Sequence, residues 1–432
     1  MTLPKLLKRS DVQAFIWLVG GALLGIAAWG LYRTPLLAVM LPVLCFMAPR
    51  RACVFALALG YHLATVRFLP EYLLQWFSNY ATAVLGWLAL GIVSASVWTL
   101  CWTASEKRWR VALAAASGFV LSLLPPFAVV LPGHPLVGWG FVMGGKHWFG
   151  VVFAIFITAY VATEIRVARS KAPRWLVPYV AAMVIAGLGW GSFFQRQGDG
   201  REVQDTVAIH SGWGKPPTSQ EQVIERIESV ARIAKATSEL QDRPRLLVFP
   251  ETTLGRYDVT FGPVLRAELG SHVTAAGQSI VLGAEIDQPD GTAQNLAVVL
   301  RRDGTSDYIK QRQPALLSMW APWKETGHFP ADWLGNNILK IEDGLQARVI
   351  ICYEEWIPAL HLLNEALHPH NLVIAMANAW AAPSLTATQI QANHTEGMAR
   401  LFGRKHLRAE NYQPAMAKER RAYEAEQAVP PR

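Results

Sequence analysis

Cysteine is scarce in this chain. There are four among 432 residues, and three of them, Cys45, Cys53 and Cys101, lie in or beside apolar runs of the first half. Cys352 is alone in the second half, so no disulfide can staple that half from within. Charge is scarce as well. Asp, Glu, Lys and Arg make up 17% of the chain against 52% hydrophobic residues, too apolar a balance for an ordinary soluble protein. A clustered set of metal ligands, a glycine-rich phosphate loop and a dinucleotide fingerprint are also missing, so no metal and no cofactor are expected.

The shortage of charge is local. Val12–Tyr32, Thr82–Thr103, Val111–Pro132 and Trp175–Phe194 contain no Asp, Glu, Lys or Arg. Each is about 20 residues long, enough to cross the hydrocarbon core of a bilayer. Trp148–Thr163 is shorter and equally uncharged, and the weaker Pro35–Pro49 and Ala52–Val66 suit a tight helical hairpin. Residues 1–195 therefore read as a multi-span α-helical membrane domain of about seven helices. The first run is too long for a cleaved signal peptide, and further spans follow it. Lysine and arginine set the orientation. With the N-terminus in the cytoplasm, the inner loops collect Lys5, Lys8, Arg9, Arg50, Arg51, Lys107, Arg108, Arg110 and the Arg166–Arg174 group. The outer loops collect Arg33, Arg67 and Lys146. An odd number of spans delivers everything after Phe194 to the far side of a bacterial inner membrane, the periplasm. The net charge of +8 is partly this topological signal. It argues poorly for nucleic acid, and no nucleic-acid partner is expected.

Composition changes at a polar linker, residues 196–202. Beyond it, strands expected at Val203–His210, Arg245–Phe249, Ser279–Ala284, Leu296–Arg301, Thr305–Ile309, Val349–Cys352 and Leu372–Met376 alternate with helices at Ser219–Leu240, Val264–Ala276, Ile357–His368 and Gln389–Phe402. The fold class is α/β. Three strand ends carry reactive groups: Leu246-Leu-Val-Phe-Pro-Glu251, Tyr308-Ile-Lys310 and Arg348-Val-Ile-Ile-Cys352-Tyr-Glu-Glu-Trp356. Taken singly, Glu251 can simply close a strand, Lys310 can be a solvated charge, and Cys352 can be core filler.

In sequence order, Phe-Pro-Glu251, Tyr-Ile-Lys310 and Ile-Cys352-Tyr-Glu354 resemble the nitrilase (carbon–nitrogen hydrolase) superfamily, and their separations suit it. Asn378-Ala-Trp380 and Ala399-Arg-Leu-Phe-Gly-Arg404 resemble the family's segment after the nucleophile. The multi-span first half narrows the resemblance to the branch containing apolipoprotein N-acyltransferase. Ser318-Met-Trp-Ala-Pro-Trp323 and the overall layout are similar to the TraB type of conjugal-transfer protein. The resemblance implies a nitrilase-like α-β-β-α sandwich over residues 203–412. It implies Glu251 as general base, Cys352 as nucleophile and Lys310 as the cation that stabilises the oxyanion. The backbone N–H of Tyr353 would be a second oxyanion donor. Glu354 matches a carboxylate that serves either a salt bridge or the chemistry, and Trp213 and Trp380 suit pocket walls.

Two departures from the family pattern stand out. The family's second glutamate after the lysine is absent, since Pro314-Ala-Leu-Leu-Ser318 holds no acid; Glu325 is the nearest candidate and is displaced, and Arg312 stands where the family often has His. Residues 413–432 form a polar tail, so the sandwich is expected to be trimmed at its C-terminus, with an edge left open or covered by a partner, and the tail frayed or weakly helical. The leading expectation is a thiol enzyme that transfers an acyl group or hydrolyses an amide, takes a membrane lipid or lipid-linked substrate, and serves a conjugation machinery. The alternatives are lipoprotein N-acylation itself and a catalytically inactive scaffold.

Overall fold

The computed structural model describes residues 10–30, 35–171 and 206–428, apart from 259–261, 271–272, 274–275, 317 and 342–344. The expected span Trp175–Phe194 and the linker lie outside these residues. The chain divides into two compact units. The first takes in Met1–Gly200 together with Trp356–Leu363 and Thr386–Arg404, and the second takes in Arg201–Glu355, Asn364–Leu385 and Lys405–Arg432. A contiguous division at the linker does not anticipate the two later segments of the first unit.

In the helical unit, α1 (Ser10–Ala28), α3 (Tyr80–Cys101) and α6 (His147–Lys171) contain stretches long and apolar enough to cross a membrane. α2 (Arg51–Thr65) continues after a 63° bend into Leu69–Phe77, and the pair can count as a fourth span. Phe15, Leu23, Leu85, Leu100, Phe149 and Phe156 stay exposed on these helices, as lipid-facing side chains would. The expected span Val111–Pro132 is broken. α4 (Arg108–Leu121) stops after 14 residues, and only Phe127–Val130 is helical beyond it. Pro125 and Pro126 account for the break, because proline lacks the N–H and disfavours helix in the residue before it. Pro35–Pro49 yields only a 3₁₀ turn and the eight-residue helix Met40–Met47, too short to span.

Small residues let these helices touch. A Cβ on Gly21 would lie 1.9 Å from the Leu57 carbonyl oxygen, and one on Gly60 would lie 2.1 Å from that of Leu18. α1 and α2 therefore meet backbone to backbone, the packing that small residues four apart allow. Three more helices are α5 (Pro135–Val142), α8 (Pro358–Leu367) and α9 (Leu385–Leu401). A Cβ on Gly140 would lie 1.8 Å from the Gly397 carbonyl oxygen, so α5 and α9 also cross in contact. His394 of α9 accepts the Gly133 N–H on Nε2 (2.8 Å) and stacks on Trp29, with ring centroids 4.5 Å apart. Trp29 donates to the Tyr61 hydroxyl (2.9 Å), which donates to the Gly133 carbonyl (2.7 Å). Trp29, Tyr61 and His394 are fully buried, and these bonds pair their polar atoms as burial demands.

The second unit is two five-stranded sheets face to face. The first has the order β1 (Thr206–Ala208), β3 (Leu246–Val248), β4 (Ser279–Asp287), β5 (Ala293–Leu300), β6 (Ser306–Lys310). The second has the order β2 (His210–Ser211), β10 (Lys405–Asn411), β9 (Leu372–Asn378), β8 (Gln346–Ile351), β7 (Ile338–Lys340). β1, β3 and β4 are parallel, and β5 and β6 follow antiparallel. β2, β10, β9 and β8 are parallel and β7 antiparallel. The single strand expected at Val203–His210 is divided, in its described part, between β1 and β2, the chain crossing from one sheet to the other at Ile209.

Period-two alternation builds the core. Leu246, Val248, Val281, Ala297 and Ile309 of the first sheet meet Val349, Ile351, Ile374, Met376 and Ala409 of the second. The opposite face of the first sheet, Leu247, Phe249, Leu282 and Leu296, is covered by α7 (Gln220–Ser238) through Val223, Ile227, Val230 and Ala234. Ser219 caps that helix by accepting the Gln222 N–H (3.3 Å). The expected polar tail is a helix, α10 (Pro414–Ala428), that buries Met416 and Ala417.

Candidate active site

β3 ends at Val248, and Phe249-Pro250 carries the chain to Glu251, which is only 5% exposed. The next residue, Thr252, is left-handed with φ 50°. Neighbouring β4 passes flat against this corner because residue 283 is glycine. A Cβ there would lie 2.4 Å from the Thr252 nitrogen and 2.5 Å from the Glu251 Cα. β8 ends at Ile351, and Cys352 opens a 3₁₀ turn, Cys352–Trp356, with φ 47°. Non-glycine residues pay in strain for such φ values, which cluster where geometry serves function. The two strand ends bring the half-buried Cys352 thiol against the Glu251 carboxylate, to which it donates a hydrogen bond.

Burial dominates the electrostatics. It pushes Glu251 up to about 7, which the bonds from Cys352 and Asn295 oppose and the charge of Glu285 reinforces. Desolvation, then the Glu251 charge, raise Cys352 well above an ordinary thiol. The resting pair is therefore a protonated thiol beside a carboxyl group poised to titrate near neutrality.

A scaffold of buried amides surrounds the pair. Asn295 Nδ2 donates to Glu251 Oε1 (2.6 Å) and to Gln311 Oε1 (3.1 Å). Gln311 Nε2 donates to the Ile351 carbonyl (2.8 Å), next to the nucleophile. The Asn378 backbone N–H donates to Glu251 Oε2 (3.1 Å), and its side-chain amide donates to Thr252 Oγ1. Asn411 Nδ2 in turn donates to Asn378 Oδ1 (2.9 Å) and holds the loop after β2 by accepting the Trp213 N–H (2.9 Å). Expectation from sequence names none of Asn295, Gln311 or Asn411. The signal available was Asn295, an amide inside the apolar run Ala293–Leu300 and so a buried polar group that needs a partner; Gln311 follows one polar strand and Asn411 ends another, and neither carries such a signal.

The turn after Cys352 is anchored by its two carboxylates. Glu354 is buried and accepts the N–H groups of Arg312, Gln313 (3.1 Å) and Ile351 (2.9 Å). Glu355 pairs with buried Arg408 of β10 (Nε to Oε2, 3.0 Å). Glu354 is thus a brace between β8 and the segment after β6. Tyr353 is half-buried, and burial pushes its phenol up.

Lys310 is not brought to the pair. It is the last residue of β6, its side chain is exposed, and strand alternation turns Gln311 inward instead. Among the described residues no hydrogen bond or ion pair joins its ammonium to Glu251 or Cys352. Glu325 is exposed in the loop before β7 and supplies no acid to the site. Trp213 stacks on Phe249 (6.3 Å, 2° between planes), on the α7 side of the first sheet. Trp380 follows β9, donating its N–H to Asn378 Oδ1 (3.4 Å) while its ring lies under the Lys215 ammonium.

No known family profile matches the chain. It is similar to the conjugal transfer protein TraB of Agrobacterium fabrum, 26% identical over 396 residues and covering 87% of each chain. It is also similar to a probable conjugal transfer protein TraB of Sinorhizobium fredii, 23% identical over 411 residues, covering 92% of this chain and 98% of the relative. Solved structures that resemble it include a carbon–nitrogen hydrolase from Helicobacter pylori (15% identity, TM-score 0.37, 47% of this chain and 74% of that one). An amidase from a Nesterenkonia species is another (14% identity, TM-score 0.35, 48% and 76%).

Proposed function

We propose that this chain is a membrane-anchored thiol enzyme that forms an acyl–enzyme intermediate on Cys352, and that it serves plasmid conjugal transfer. The observation that carries the chemistry is the contact of the half-buried Cys352 thiol with the buried Glu251 carboxylate at two strained strand ends. The apolar helices of the first unit support the membrane anchor, and the TraB relatives support the conjugation role.

Glu251 takes the Sγ–H proton as sulfur attacks the carbonyl carbon of an amide or ester. The C–S bond forms and the π electrons move to oxygen. Backbone N–H groups, that of Tyr353 among them, receive that charge. The intermediate collapses, the C–N or C–O bond breaks, and the leaving group takes the proton from Glu251. Water or an amine then attacks the thioester, gives its proton to Glu251, and sulfur leaves and recovers that proton. A pKa near 7 suits a group that must accept and donate in one cycle. Lys310 joins this chemistry only if β6 slips by one residue, which would exchange it for Gln311. A lipid-linked acyl group is the proposed substrate class, because a soluble amide needs no multi-span anchor, and the second unit is proposed to face the periplasm.

Mass spectrometry of full-length protein purified with its membrane lipids tests the proposal. An acyl adduct on Cys352, absent from Glu251→Gln and accompanied by loss of conjugation in Cys352→Ala, is the expected result. A bare thiol that activated esters also fail to modify, with conjugation unchanged in Cys352→Ala, would leave a scaffold as the surviving interpretation.

A further inference from the structure

A second carboxyl group, that of Glu285, lies near Glu251. β4 and β5 pair with Glu285 directly opposite Asn295. Side chains opposite each other in an antiparallel pair share a face, with Cβ atoms roughly 5 Å apart. Asn295 uses that face to reach Glu251 (2.6 Å). The alternation of β4 agrees: Val281 packs between the sheets, Leu282, Ala284 and Ile286 pack under α7, and Gly283 lies against the Glu251 backbone. Glu285 follows Gly283 on that inner face and is only partly exposed. Its backbone also holds the corner after Glu251, donating to the Gly255 carbonyl (2.8 Å) and accepting from the Tyr257 N–H (2.7 Å).

A second observation points the same way. Both protons of the Asn295 amide are used, but its buried Oδ1 has no hydrogen-bond partner among the described residues. An orphaned buried acceptor wants a donor, and the side chain facing it across the ladder is a carboxyl group. A protonated Glu285 can supply that donor and an ionised one cannot.

We propose that Glu285 is a second carboxylate of the site, coupled to Glu251 across Asn295. The inference rests on Glu251 being the base. Glu285 touches no reacting atom, so it is a positioning residue. It adds to the effect of burial on the pH at which Glu251 becomes available, because neighbouring anions oppose each other's ionisation. The other charged or titratable groups around them are Cys352 and Glu355 at the end of β8, Tyr257, and the exposed Arg256–Asp287 pair beyond Glu285, whose guanidinium favours ionised Glu285 and whose carboxylate opposes it; Lys310 pairs with Leu296 on the other face of the sheet.

The test is the pH dependence of Cys352 alkylation by iodoacetamide in the full chain in detergent, read by peptide mapping so that Cys45, Cys53 and Cys101 are counted apart. In the parent the rate should climb through an inflection near pH 7. Glu285→Gln, which supplies a permanent donor and no charge, should move that inflection down by about half a pH unit to one unit. Glu285→Asp, which keeps the acid, should stay near the parent. An unmoved inflection in Glu285→Gln, with the inflection lost in Glu251→Gln, overturns the coupling and leaves the base in place. An inflection that survives Glu251→Gln overturns the base and the coupling together. Should Glu285→Gln fail to fold, Glu285→Met, which removes the charge at similar length, should likewise move the inflection down, and no shift overturns the proposal.

Discussion

The Cys352 thiol donates its hydrogen bond to Glu251, a carboxyl group already occupied by Asn295 and the Asn378 backbone. The proton that must move thus lies on a bond already formed, between two residues 101 positions apart by their numbers. Stability, acidity and reactivity at this spot are therefore linked, and each can be measured.

Ionising buried Glu251 should cost folding stability. Its ordinary value is 4.5, and in the folded chain it is raised to about 7. Between those values the folded state binds more protons than the unfolded state, so stability falls as pH rises through the window and is level above it. The loss is on the order of 3 kcal/mol. Thermal unfolding in detergent at about pH 5 and about pH 8 should show the parent losing more than Glu251→Gln. Parallel losses would show that Glu251 does not ionise in this window.

Gly283→Ala should damage the site without touching a reactive group. The added methyl meets backbone atoms of Glu251 and Thr252 at 2.4–2.6 Å, and backbone cannot rotate aside. Overpacking of this kind costs about 1–3 kcal/mol. Cys352 alkylation near neutral pH should slow with it. An unchanged midpoint and rate would mean that the corner yields easily.

Glu354→Ala should be among the most destabilising single changes in the sandwich, because it strands the three N–H groups now bonded to it. Stranding buried donors costs about 1–3 kcal/mol apiece, partly relieved by water. Limited proteolysis should then cut after β6, where Arg312 and Gln313 lose their anchor. Resistance equal to the parent would count against the bracing role.

Lys310→Met and Gln311→Leu separate the two neighbours at the end of β6. The exposed Lys310 should leave the unfolding midpoint nearly unmoved, within about 0.5 kcal/mol. Gln311→Leu removes the donor to Ile351 and the acceptor for Asn295, so it should cost more and disturb Cys352 alkylation. The reverse order of effects would favour the one-residue slip that brings Lys310 inward.

Sequence pattern makes the strands around Glu251 and Cys352 legible, because short apolar runs ending on a polar residue are local features. The supporting amides are harder to see. Asn295, Gln311, Asn378 and Asn411 find their partners across strands, and pairing register is not written in any one run. Glu285 resembles an exposed strand charge until β4 is set beside β5. The charged run after Pro414 hides Met416 and Ala417, whose spacing is too sparse to announce a buried helical face. In the first half, hydropathy locates apolar runs but not where they bend. The break near Pro125 is visible in the residues, although a count of uncharged positions passes over it.

Gly397 and His394 complete the helical unit from far along the chain, meeting Gly140, Gly133 and Trp29 there. The two halves consequently cannot be swapped like cassettes at the polar junction. A fragment beginning after residue 200 would present α9 with a bare imidazole and an empty glycine notch, and a fragment ending there would lack the piece that plugs its own wall.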